Sequence, residues 1–232
     1  RLDCVLNNVR LVEEEKCCYA AYRRERGISF RGLRHPLVQD CVTEDLEIGK
    51  SLVITGMNMS GKSTFMKSLA LNQLFATGFG IAFAETYETG IYRIVTSLMI
   101  VDDIAGRKSK YYVEAERVVH IKEALERQPV LCLIDEILTG TNTDERIFAS
   151  IAILDAFCGY SDSIIVAATH DTRIAEELSG KYDARYFDGE IRDERIEFDY
   201  KLRPGIVSRR NGLLVLKYLG LDVGLFEKGG KG

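Results

Sequence analysis

The apolar residues of this chain change their period several times, and each change marks an element. Leu2, Val5, Leu6 and Val9 fall on one side of a helix, and that spacing extends a helical reading over residues 2–26. Gly27, Gly32 and Pro36 then break the period. From residue 51 onward strands and helices alternate. The β-branched run "SLVIT" (51–55) leads into a Gly-rich loop and a helix from about Lys62 to Ala76. "YRIVTSLMI" (92–100) reads as a strand, "YYVEAERVVHIKEALER" (111–127) as a helix and "VLCLID" (130–135) as a short strand set off by Pro129. The next helix runs from about Asp144 to Cys158, with Ile147, Ile151, Leu154 and Cys158 on one face and Thr143 as its cap. "SIIVAAT" (163–169) is another strand of the buried type, followed by a helix and by "EIRDERIEFDYKL", which alternates like a hairpin. Strands apolar throughout and separated by helices predict an α/β fold. Its sheet is mostly parallel with helices on both faces, and an antiparallel β portion is added.

Bulk composition narrows the class. With 232 residues, 46% hydrophobic and 28% charged, the chain suits one large globular domain. No apolar run approaches the roughly 20 residues that span a bilayer, so no membrane partner is expected. Residue 1 is Arg, and the chain is expected to be a piece of a longer protein. Six cysteines without C-x-x-C spacing fit a reducing, cytoplasmic setting better than zinc or disulfides. The net charge of −4 argues against a large DNA-gripping surface on this piece. The local basic stretch "YRRERGISFRGLRH" reads first as a solvated helix end and turn.

Three features carry chemistry. Gly56-Met57-Asn58-Met59-Ser60-Gly61-Lys62-Ser63, followed by Thr64, fits the phosphate-cradle pattern G-x-x-x-x-G-K-[ST] between a strand and a helix. Glycines let backbone N–H groups turn inward around phosphates, and the helix N-terminus adds positive potential. Lys62 is placed to reach the β- and γ-phosphates of a nucleotide such as ATP, and Ser63 to coordinate Mg²⁺. The second feature is Asp135-Glu136, at the carboxyl end of an apolar strand, where ligands of open α/β sheets collect. Asp135 suits the Mg²⁺, and Glu136 suits orienting or deprotonating a water, unless it is only a solvated strand-end acid. The third is His170, which ends another apolar strand and suits polarising that water or sensing the γ-phosphate; alone it would read as structural.

The motif order is that of ABC-type P-loop ATPases, and with "TGTNTDE" between the last two features the chain resembles the MutS family of DNA mismatch-repair ATPases. The resemblance runs from about Gly32 to Leu221. It is carried by "GLRHPLV", "ITGMNMSGKSTFMKSLALNQLFATGFGIAFAE", "SLMIVDDIAGRKSKYYVEAERV", "LCLIDEILTGTNTDE", "AATH" and "NGLLVLKYLGL". The departures mark a divergent branch. Met57 and Ser60 stand where the family usually has Pro and Gly, Gly106-Arg107-Lys108 precedes the signature Ser109, Lys110 follows it, and Leu138-Thr139 replaces Gly-Arg.

The resemblance implies that Lys62, Ser63, Asp135, Glu136 and His170 form half of each ATP site and that Ser109 of a second copy completes it, so the partner is a homodimer built around composite sites. It implies that residues 1–26 end a lever helix, that residues 27–232 form the ATPase domain, and that DNA is held by domains outside this chain. A nucleotide-controlled DNA clamp and a recombination-related ABC ATPase without mismatch recognition stay open as alternatives. Heads of the SMC type fit less well, because fewer than 50 residues separate Lys62 from Ser109.

Overall fold

The computed structural model describes residues 2–98, 110–192 and 195–207. Ser109 and the segment "NGLLVLKYLGL" lie outside them. The chain opens with α1 (Leu2–Glu14), the short strands β1 (Cys18–Tyr19) and β2 (Ala21–Tyr22), then β3 (Ile28–Leu33), β4 (Glu44–Ile48) and β5 (Leu52–Thr55). Next come α2 (Lys62–Phe79), β6 (Ile81–Ala82), β7 (Thr86–Thr89), β8 (Arg93–Ser97), α3 (Lys110–Leu125) and β9 (Val130–Asp135). The described part closes with α4 (Thr143–Phe157), β10 (Ile164–Thr169), α5 (Thr172–Glu177), β11 (Asp183–Arg192) and β12 (Arg195–Pro204).

Six strands form the main sheet in the order β12-β11-β5-β10-β9-β8. The five from β11 to β8 are parallel, and β12 pairs antiparallel with β11 as the expected hairpin. This is an α/β fold with a mostly parallel sheet, compatible with a nucleotide-binding domain. Side-chain alternation puts Leu52, Ile54, Leu131, Leu133, Ile164 and Val166 in one core, and Val53, Cys132, Ile134, Ile165 and Ala167 in the other. Both faces are covered, which is why these strands are apolar without interruption. Each fully buried Leu or Ile contributes roughly 1.5–3 kcal/mol.

The first core also holds Phe65, Met66, Leu69 and Ala76 of α2, and Ile28, Phe30, Leu33, Ile48 and Tyr87 of a second sheet ordered β2-β7-β3-β4. α2 is pinned to this sheet's side by two buried amides. Gln73 donates to the Gly90 carbonyl (3.1 Å) and accepts from Tyr87 (2.9 Å) and Thr89 (2.7 Å). Asn72 donates to the Arg34 carbonyl (3.0 Å) and accepts from the Phe83 N–H (2.6 Å). Satisfied buried polar groups of this kind fix orientation as well as position. α2 is therefore held between the main sheet and the second one. The second core packs α3, α4 and α5 on the opposite face through Ile121, Leu125, Ile147, Leu154, Phe157 and Ile174.

Three local expectations are corrected. The first helix ends at Glu14 rather than continuing to residue 26, because Lys16 turns left-handed (φ 49°) and Cys18–Tyr19 pair with Ala82–Ile81. The cap of α4 is Asn142, whose side chain accepts from the Glu145 N–H (2.9 Å), and Thr143 is the first helical residue. Residues 28–33, read as a break, form a strand that pairs with β4 and β7. No described helix is long and apolar enough to cross a membrane.

Candidate functional site

The carboxyl ends of β5, β10 and β9 lie side by side, because Thr55 is in register with Thr169 and Ala168 with Asp135. Everything the sequence singled out among the described residues emerges from these three ends. The loop after β5 turns through Gly56 (φ 145°), Met59 (φ 70°) and Gly61 (φ 114°). At Gly56 a Cβ would meet the Phe187 carbonyl oxygen at 2.6 Å, so a glycine is required by space as well as by φ. Gly61 caps α2 with no side-chain hydrogen bond. The first N–H groups of α2 therefore lack the side-chain acceptor that normally closes a helix.

Lys62 is 5% exposed and its ammonium donates to the carbonyls of Gly56 and Met57, both at 2.7 Å. Burial pushes its pKa down, against the pull of Glu136 and Asp135, which raise it. Ser60 is fully buried, and its Oγ has no hydrogen-bond partner among the described residues. Met59 is exposed at the loop tip. The Ser63 hydroxyl donates to Asp135 Oδ2, joining the head of α2 to the end of β9.

Glu136 sits in the left-handed region (φ 61°), an uncommon place for a residue with a side chain. Its own N–H donates to the Ala168 carbonyl (3.0 Å), which anchors the turn to β10. Its Oε1 accepts from the backbone N–H of His170 (3.0 Å) and pairs with His170 Nδ1 (2.7 Å), while Oε2 accepts from Thr169 Oγ1 (3.3 Å). A carboxylate has no proton to give, so Nδ1 of His170 carries the hydrogen of that bond. Arg146 Nη1 lies 3.2 Å from His170 Nε2 and can only donate, which leaves Nε2 as the acceptor. His170 is thereby held between a carboxylate and a guanidinium in a single tautomer.

Asn58, Met59, Gly61, Lys62, Ser63, Thr64, Asp135 and Glu136 line one cavity of ≈ 340 Å³, with Leu98 and Tyr200 on its wall. A second cavity of ≈ 450 Å³ adjoins it, sharing Met59, Gly61, Thr64 and Tyr200. It runs between α2 and the loop before β4, past Val38, Cys41, Val42 and Glu44. Burial pushes Glu44 up to about 7, and its Oε1 accepts from the Leu202 N–H (3.1 Å).

Residues 52–228 match the family model described as MutS domain V. The chain belongs to the MutS family. It is 29% identical over 212 residues to the DNA mismatch repair protein MutS of Natronomonas pharaonis, a match covering 87% of this chain and 25% of that protein. It is 31% identical over 180 residues to the DNA mismatch repair protein MutS 2 of Haloarcula marismortui, covering 76% of this chain and 19% of that protein. The chain thus spans a quarter or less of the length of the curated relatives it matches.

Within this MutS-family domain, sequence reasoning missed Arg146, which meets His170 from α4, and Glu44, which lines the second cavity. It also missed Thr169 and Asp171. Asp171 caps α5 through the Arg173 N–H (3.1 Å) and lies 3.8 Å from Arg146. Asp171 alone had a readable signal, as an Asp directly after a strand-end His and before a helix.

Proposed function

We propose that this domain binds ATP with Mg²⁺ and hydrolyses it as a P-loop ATPase of the ABC type, driving shape changes in a MutS-like DNA mismatch-repair protein. The observation that carries the reading is the joint between Ser63 and Asp135 beneath a helix N-terminus that has no cap of its own. A hydroxyl and a carboxylate are oxygen donors of the kind magnesium takes, with water and phosphate oxygens filling the remaining positions. When bound, the ion neutralises charge on the β- and γ-phosphates. The uncapped N–H groups of α2 are donors awaiting an anion. Lys62 exchanges its two carbonyl acceptors for phosphate oxygens. The second cavity, where Leu33, Val38 and Phe65 lie beside polar groups such as Gln39 and Glu44, receives the base.

Glu136 orients and deprotonates the attacking water. His170 and Thr169 fix the direction in which its carboxylate points. Two copies of the chain dimerise around two ATP molecules, with Ser109 of each completing the other's site. The far end of α2 supports transmission: Asn8 of α1 donates to the Phe79 carbonyl (2.7 Å) and Tyr22 donates to the Ala76 carbonyl (2.5 Å). α1 is then the end of a lever that leads to DNA-holding domains outside this chain, while residues 27–232 form the ATPase domain of a cytoplasmic protein.

The test is Glu136→Gln in the full-length protein. Nucleotide binding persists, turnover falls by about 10²–10⁴, and an ATP-loaded dimer accumulates in light scattering. Turnover at the wild-type rate would reduce Glu136 to a strand-end acid.

A further inference from the structure

The turn that carries Glu136 is under strain. Both Glu136 (φ 61°) and Leu138 (φ 54°) occupy the left-handed region. Such a conformation is unfavourable for a residue with a side chain and persists only where surrounding contacts over-determine it. Among the described residues, contacts from three elements hold the turn. Glu136 N–H is fastened to Ala168 of β10, and the Ile137 carbonyl accepts from Ser150 of α4 (3.2 Å). The third comes from α3. Glu114 is 4% exposed, its Oε1 accepts from Thr139 Oγ1 (2.5 Å), and its Oε2 accepts from the Gly140 N–H (3.0 Å). The backbones also touch: a Cβ at Gly140 would meet the Tyr111 nitrogen at 2.8 Å.

A buried carboxylate that spends both oxygens on one short loop is costly to place unless those bonds are kept. We infer that Glu114 is a positioning residue, which ties the first turns of α3 to the Glu136 turn so that the two move as one body. It lines neither of the two cavities, and its hydrogen bonds among the described residues go to Thr139 and Gly140. Any displacement of the Lys110 end of α3 is thereby passed to the carboxylate that orients the water. This role rests on the ATPase reading proposed above.

Two variants of the full-length protein test it. Glu114→Ala removes both acceptors, whereas Glu114→Gln keeps an oxygen for the Gly140 N–H and places an amide beside the Thr139 hydroxyl. In Glu114→Ala, kcat falls about 10–100-fold, the cost of a small misplacement of a catalytic group, while ATP affinity is unchanged. Hydrogen exchange in the peptide containing Gly140 speeds up. Glu114→Gln restores most of the turnover and the slow exchange. Gly140→Ala, which drives a methyl against the α3 backbone, reproduces the loss of kcat without loss of affinity. Hydrolysis at the wild-type rate in Glu114→Ala overturns the inference, as does an equal loss of binding and turnover in both Glu114 variants. A wild-type protein with no Lys62-dependent hydrolysis is a different result. It sinks the ATPase reading itself, and this role with it.

Discussion

Two helices begin at the same edge of the main sheet, and their first turns are built in opposite ways. α4 is closed on itself. Asn142 in extended conformation accepts from the Glu145 N–H, and Asp144 and Glu145 place negative charge at the positive end of the helix. α2 has none of this: its cap is a left-handed glycine without a side chain, and no acidic residue lies in its first turn. Its first residue is a buried lysine, a cation set against the positive end of the helix dipole. Local capping accounts for the start of α4. It leaves the start of α2 without local support, so the same rules of capping separate a helix start closed by its own residues from one held only by the packing of the helix behind it.

Lys62→Ala breaks that contrast most strongly. It removes a charge-assisted contact worth roughly 1.5–3 kcal/mol, so calorimetric titration finds ATP affinity lowered at least tenfold. The fold of the variant survives, which circular dichroism checks. Unchanged affinity would put α2 in the same class as α4.

The flank of α2 gives an intermediate effect through pH. Glu44 is pushed from 4.5 up to about 7 by burial, so the folded chain keeps a proton that the unfolded chain releases. A raised pKa stabilises fully below pH 4.5, and that contribution is lost as pH rises through about 7. Urea unfolding of wild type and Glu44→Gln across this window should therefore diverge. Wild type loses on the order of 2 kcal/mol relative to the variant as pH increases. Parallel curves would show that Glu44 ionises freely in the folded protein.

Asn142→Ala gives the smallest effect and the mirror image of Lys62→Ala. Stability falls by about 1 kcal/mol, the usual worth of a cap, and nucleotide affinity is untouched. A loss of affinity instead would mean that the start of α4 also serves the site.

Much of this was legible along the chain. Runs such as "VLCLID" and "SIIVAAT" report burial on both faces, because a strand between two helical layers has no polar side to present. The glycine-rich loop after β5 was legible too, because its turns lie among adjacent residues, and glycine spacing writes such turns directly into sequence. Asp135-Glu136 and His170 stood out as polar residues ending apolar strands. Local period could not place the end of the first helix, since Cys18 and Tyr19 leave it for partners more than 60 residues away. The same holds for the joints of the site. Ser63 meets Asp135 across 72 residues, and Glu136 meets His170 across 34. Arg146 reaches His170 from α4, and Glu114 reaches Thr139 and Gly140 from α3. Those meetings follow from the strand order β5-β10-β9 and from which helix covers which face. Side-chain period reports how deeply each element is buried, and only the packed sheet decides which distant elements become neighbours.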